Sequence, residues 1–300
     1  MFLYCTTDKV GGWSGGSKVT YNESRALSDL GECQSWQCHC WDRSTFLNQQ
    51  PSFDWFVQND PWGWDIMASE TLVSPADKYR LAHFYSGTFP KTIAQLKGAG
   101  TLLTYTVAAH SITASKQEHE KLGLSFPYPH LTDPALWDRY IAGYKAADVI
   151  ICPSAIAAEN LKTLGIDNHI RIIPHGCDLP ENLTLPPNQF TVGYLGNCGA
   201  PDKGLIYLLQ AWKTLDYSDA LLILAGQDST SPWVNHLVRN YGGGNIRLAG
   251  WLETVTPFYN QISLLVQPSM TEAFGLEVLE AMAHGRPVLC SMGAGAADVV

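Results

Sequence analysis

The sequence predicts an α/β protein built from two doubly wound parallel sheets. Three observations carry that prediction. Short apolar runs suited to buried parallel strands alternate with helical stretches along most of the chain. Segment 179–189 holds three prolines among polar residues and reads as a linker. The 300 residues exceed what one typical core wants, so two domains are expected, 1–180 and 181–300.

In the first half, Phe2 to Cys5 is a first strand, followed by Gly11-Gly12-Trp13-Ser14-Gly15-Gly16 and a helix from about Ser17 to Leu30. Strand, glycine loop and helix outline a phosphate or substrate site, because glycines allow close approach and a helix start offers free amides. The spacing G-G-x-x-G-G is neither the dinucleotide fingerprint nor a P-loop, so a flexible surface loop is the competing reading. Gln34 to Trp41 alternates as a second strand. Phe46 to Trp64 lacks periodicity, and its Trp55, Trp62 and Trp64 suit either a sugar-stacking platform or packing beneath a long loop. Strands follow at Tyr79–Tyr85, Thr101–Ala108, Val149–Cys152 and Ile170–Ile173, with helices at Lys91–Lys97, Asp133–Ala147 and Ala155–Leu164. His110 falls just beyond the second of these strands, Thr101–Ala108, on the edge where open α/β sheets bind ligands; a structural histidine is the alternative. Pro174-His175-Gly176-Cys177-Asp178 reads as a tight turn that ends the half.

The second half restarts with a strand at Thr191–Gly196, a loop at Asn197–Gly204 and a helix at Leu205–Leu215. Lys203 stands at that helix N-terminus, where a cation opposes the helix dipole by roughly 0.3–1 kcal/mol and needs a compensating anion. A bound diphosphate would supply one. Apolar strands follow at Leu221–Gly226, Ile246–Gly250, Leu264–Pro268 and Val288–Ser291, separated by helical stretches. Gly226-Gln227-Asp228 sits at a strand end, where it can line a base pocket.

Between the last two strands lies Thr271-Glu272-Ala273-Phe274-Gly275-Leu276-Glu277-Val278-Leu279-Glu280-Ala281-Met282-Ala283-His284-Gly285-Arg286-Pro287. Glu272 falls in a loop, Gly275 opens a helix on the spacing of Leu276, Leu279 and Ala283, and Gly285 and Pro287 close it. A loop carboxylate, helix N-terminal amides and a second carboxylate two turns on suit an anionic, hydroxyl-rich ligand. By spacing alone Glu277, Glu280 and His284 share one helical face, which fits three solvated side chains equally well.

This string closely resembles the paired-glutamate motif of the retaining glycosyltransferases of family 4, and the rest of the chain resembles that family more faintly. The resemblance implies two Rossmann-like domains facing a cleft (GT-B architecture) and transfer of a sugar from a nucleoside-diphosphate sugar to an acceptor hydroxyl with retention. It implies that Glu272 holds the donor sugar, Glu280 the ribose hydroxyls, and the amides of Phe274, Gly275 and Leu276 the phosphates and sugar. Lys203 would stabilise the departing diphosphate, His110 would touch the transferred sugar, and Gly15 and Gly16 would lie beside acceptor and donor phosphates. No metal or other cofactor is expected. The family commonly has arginine where this chain has Asn197, so one fixed positive charge on the diphosphate is missing, and it commonly has asparagine at His175. It also continues beyond the point reached by Val300, so the chain is expected to be truncated. A non-catalytic nucleotide-sugar-binding or scaffold protein of the same fold is the competing reading. An epimerase or a sugar phosphorylase is disfavoured for want of their motifs.

Composition sets the remaining expectations. The net charge is -9, without a basic run, which argues against nucleic acid as a partner. No segment approaches the roughly eighteen apolar residues of a membrane span, and the first residues lack signal-peptide character, so a cytoplasmic location is expected, with peripheral membrane association left open. The acceptor is a sugar, a lipid or a small molecule. The eight cysteines are expected to be reduced, and Cys33, Cys38, His39 and Cys40 match no standard zinc spacing.

Overall fold

A computed structural model describes residues 1–6, 15–37, 78–85, 90–109, 111–126, 134–167 and 169–300. In chain order its elements are β1 (Phe2–Thr6), α1 (Gly15–Leu30), β2 (Cys33–Gln37), β3 (Leu81–Tyr85), α2 (Pro90–Gly98), β4 (Leu102–Thr106), α3 (Ile112–Lys121), α4 (Pro134–Ala146), β5 (Val149–Cys152), α5 (Ala155–Thr163) and β6 (His169–Ile172). The second series is β7 (Thr191–Leu195), a 3-10 turn (Pro201–Lys203), α6 (Leu205–Leu215), β8 (Leu221–Ala225), α7 (Pro232–Tyr241), β9 (Ile246–Gly250), α8 (Thr256–Asn260), β10 (Leu264–Gln267), α9 (Leu276–Ala283), β11 (Val288–Cys290) and a 3-10 turn (Gly295–Val299).

The chain forms two parallel-sheet α/β domains. The first sheet has the order β2-β1-β3-β4-β5-β6 and the second β11-β10-β7-β8-β9. Every pairing among the described residues is parallel, as the apolar runs of most strands predict. One compact unit comprises Met1–Ala108, Pro129–Cys152 and Leu161–Ile173; the other comprises Ala109–Tyr128, Pro153–Asn160 and Pro174–Val300.

In the first unit the buried residues of β3 and β4 include Phe84 and Tyr105, whose rings stack with centroids 5.1 Å apart, and Tyr144 of α4 meets Tyr105 edge-on at 5.2 Å. In the second, strand alternation feeds a core on each face of the sheet. Leu222 and Leu224 pack with Leu205, Leu209 and Trp212 of α6, while Ile223 and Ala225 pack with Phe258, Tyr259 and Val278 of α8 and α9.

Helix α3 belongs with the second unit: Leu122 at its end packs on the α6 core, and Tyr207 Oη of α6 donates to Glu118 Oε2 at 2.7 Å. The sequence did not announce this helix because its buried face is Ser115, Glu118 and His119, which make no apolar stripe. Its start is nevertheless capped, Ser111 Oγ accepting from Ala114 N at 3.2 Å.

Candidate active site

The second sheet reverses direction between β7 and β10. The chain runs outward through β8 and β9, then returns to place β10 against the other side of β7. Ligands bind open α/β sheets at the carboxyl ends of strands flanking such a switch point. Two loops lie there: Gly196–Gly204 after β7 and Pro268–Gly275 after β10.

These loops are joined by backbone. Met270 N donates to Asp202 O at 2.8 Å, which ties the 3-10 turn of the first loop to the second. Glu272 is fixed by its own backbone, its N donating to Gly293 O at 2.9 Å and its O accepting from Gly295 N at 3.1 Å, in an isolated parallel bridge with Ala294. Lys203 Nζ consequently meets Glu272 Oε2 in an ion pair. The side chains are 23% and 19% exposed, so the pair stands at a surface a ligand can reach. Burial opposes the charge on Lys203, yet Glu272, with Glu277 and Asp202, holds its pKa above the ordinary lysine value. The compensating anion expected for Lys203 is thus a protein carboxylate here.

Glu277 and Glu280 of α9 are not the solvated face that spacing alone allowed. Glu277 Oε1 accepts from Gln267 Nε2 at 2.5 Å, and Glu280 Oε2 accepts from Tyr259 Oη at 2.8 Å. His284 is buried; its Nδ1 donates to Glu280 O at 2.7 Å, since a carbonyl can only accept, and its Nε2 accepts from Thr256 Oγ1 at 3.3 Å. Gly275, with φ 101°, turns the chain into α9. A Cβ there would lie 3.7 Å from Glu272 Cγ, 3.9 Å from Gln267 Nε2 and 3.9 Å from Glu277 Cδ, so these three side chains converge on one point. Leu276 and Glu277 occupy the first turn of α9, where amides have no carbonyl partner within the helix. Phe274 is buried, and its ring meets His175 edge-on at 5.1 Å, the residue that departs from the expected asparagine. Ser154 Oγ donates to Ala273 O at 2.6 Å and Ser111 N to Thr271 Oγ1 at 2.9 Å, two supports of the glutamate loop that no motif revealed.

Burial, then the nearby Glu272, pushes the Glu277 carboxyl up to about 7 from 4.5, against the favourable pull of Lys203. Between these two values the folded chain holds more protons than the unfolded chain, so this group lowers stability as pH rises through the window and is level above it. Glu277→Gln is therefore expected to gain stability over the parent as pH goes from about 4 to 8, by an amount on the order of 2 kcal/mol after allowance for partial exposure. Urea midpoints of both proteins across that range check it, and a constant difference would refute it.

Asn197 is spent on its own loop: Oδ1 accepts from Gly199 N at 3.0 Å, leaving the amide nitrogen as what it can offer a ligand. Gly15 and Gly16 form the start of α1 rather than a loop ahead of a helix beginning near Ser17. A helix's first amides lack partners in any case, so glycine there is tolerated. His110 lies outside the described residues, as do Gly11–Ser14, Trp55, Trp62, Trp64, Cys38, His39 and Cys40. Two other histidines of the first half are buried: His83 Nδ1 lies 2.7 Å from Thr104 Oγ1, and His119 Nδ1 donates to Ser115 O at 2.8 Å. No helix among the described residues is long and apolar enough to cross a membrane.

Residues 13–181 match the family model described as Glycosyltransferase Family 4, and residues 189–300 the one described as Glycosyl transferases group 1. An uncharacterized glycosyltransferase of Methanocaldococcus jannaschii is 26% identical over 166 residues, 54% of this chain and 46% of that protein. The chain spans about half the length of the curated relatives it matches. Among solved structures, sucrose-phosphate synthase from Thermosynechococcus elongatus is 18% identical with a TM-score of 0.71, over 98% of this chain and 82% of that one. The Anabaena protein HepE in complex with UDP-glucose is 17% identical with a TM-score of 0.67, over 100% of this chain and 83% of that one.

Proposed function

This chain belongs to glycosyltransferase family 4, and from that premise we propose that it moves a sugar from a nucleoside-diphosphate sugar to an acceptor hydroxyl with retention at the anomeric carbon. The observation that carries the reading is the convergence of Lys203, Glu272 and the N-terminus of α9 at the switch point of the second sheet. A cation and first-turn amides suit a diphosphate, and carboxylates suit sugar hydroxyls. That HepE was solved with UDP-glucose in the same fold agrees with a donor of this class.

In the reaction the bond from the anomeric carbon to the diphosphate oxygen breaks and one to the acceptor oxygen forms on the same face, the acceptor proton passing to the departing phosphate. Lys203 and the amides of Gly275 and Leu276 take the charge that develops on the diphosphate, the electrostatic part of the catalysis. Donor binding draws Lys203 away from Glu272, which frees that carboxylate to accept from hydroxyls of the transferred sugar. Glu280, already oriented by Tyr259, accepts from the ribose hydroxyls. The family resemblance assigns His110 a contact with the transferred sugar. The lysine and helix dipole do the work a metal would otherwise do, so the reaction proceeds without one.

Thermal unfolding against UDP-, GDP- and ADP-sugars tests the donor site. A donor at ~100 times its dissociation constant adds about 2.7 kcal/mol of stability. One donor class is expected to raise the Tm of the parent and to leave Glu280→Ala unmoved; equal shifts in both proteins would remove Glu280 from the site. Asn197, a neutral side chain where the family carries arginine, favours a second reading as a nucleotide-sugar-binding protein without turnover. Slow hydrolysis of the stabilising donor separates the two, since a binding protein alone would show none.

A further inference from the structure

Glu277 meets a neutral donor where Glu272 meets a cation. Glu272 faces Lys203 and Glu280 accepts from Tyr259. Glu277 instead accepts from the neutral amide of Gln267, which also donates to Ser269 Oγ at 3.0 Å. Gln267 is only 1% exposed, and its own Oε1 is buried without a hydrogen-bond partner, so the amide is held in place by what its nitrogen donates to. The ionisable groups around Glu277 are Glu272 from the loop after β10, Glu280 on its own helix, Lys203 from the 3-10 turn, itself beside Asp202, Tyr194 from β7, Tyr259 from α8 and Cys290 from β11. Lys203 alone of these is cationic, and it is already shared with Glu272.

A diphosphate arriving at the start of α9 brings further negative charge to this cluster and competes for that one cation. Like charges in one site raise the cost of ionisation at the carboxyl least well compensated. We propose that Glu277 takes up a proton from solvent when an anionic donor binds, so that donor and proton occupy the site together. The proton resides on Oε2, while Oε1 goes on accepting from Gln267 Nε2. Glu277 is thus a positioning residue that lets one lysine serve where Asn197 has removed a second fixed positive charge. This inference rests on the donor reading given above, and its carboxyl, poised near 7, makes the exchange visible at neutral pH.

Calorimetric titration with UDP-glucose, in buffers of different ionisation enthalpy, tests it. UDP-glucose is preferred to UDP because its two phosphates have no proton to exchange near neutrality. The expected result is net uptake of about 0.7 proton at about pH 7.5, with Kd rising about tenfold between pH 6 and pH 8. Glu277→Gln preserves the acceptor for Gln267 and is expected to bind with neither proton uptake nor pH dependence. Binding to the parent without proton uptake, at constant Kd, overturns the inference and leaves the donor reading intact; so does uptake that persists in the variant. If the variant fails to fold, the parent titration decides alone. Absence of binding by UDP-, GDP- and ADP-glucose at every pH overturns the donor reading and this inference with it.

Discussion

Lys203→Met should lower kcat for sugar transfer by about two to three orders of magnitude, the scale seen when one preorganised charge-stabilising group is lost. Methionine keeps most of the unbranched stem, so the change removes charge more than volume. The effect is expected in kcat more than in KM, because negative charge on the diphosphate grows as its bond to the sugar breaks. Asn197 is neutral and can offer a ligand only its amide N–H, so no second cation in the loop after β7 can take over. The same substitution leaves Glu272 beside Glu277 without its cation, so Glu272→Gln in the Lys203→Met background should recover stability without recovering turnover. Steady-state rates with donor and acceptor, or donor hydrolysis where the acceptor is unknown, decide the first point and urea unfolding the second. A kcat within a few-fold of the parent would remove Lys203 from the chemistry.

Much of this was legible in the sequence because parallel strands buried on both faces leave continuous apolar runs. Expected and observed strands agree to within a few residues, as at Leu264–Gln267 and Val149–Cys152. The position of Lys203 at a helix start and of Glu280 inside a helix followed from local signals alone. What was hidden is non-local. Spacing cannot show that Glu277 faces Gln267 rather than solvent, because that depends on β10 ending one residue short of Pro268 and on Gly275 turning the chain back over it. Nor can it show that Lys203 is neutralised by Glu272, sixty-nine positions away, since the backbone bond from Met270 to Asp202 sets that meeting. Helix α3 was hidden for a different reason, its buried face being polar.

Gly204→Ala should destabilise the protein by about 3–5 kcal/mol, combining the strain of a side chain at positive φ with a backbone clash. Gly204 has φ 74°, and a Cβ there would lie 2.0 Å from Pro268 O and 2.8 Å from Pro268 C. No rotamer change relieves a contact with backbone, so the turn at Pro201–Lys203 would have to part from the loop after β10. Gly285→Ala is the internal control: its φ is 69°, but a Cβ there meets nothing within 4 Å, so only about 1 kcal/mol of conformational cost is expected. Urea midpoints of the two variants therefore separate clash from conformation, and equal losses would show that the close approach at Gly204 is unimportant. The clash also has a functional reading. The separation that relieves it breaks the bond from Met270 N to Asp202 O, the same bond that brings Lys203 to Glu272. Folded Gly204→Ala protein should accordingly bind donor more weakly than Gly285→Ala protein, although neither glycine offers a ligand any side chain.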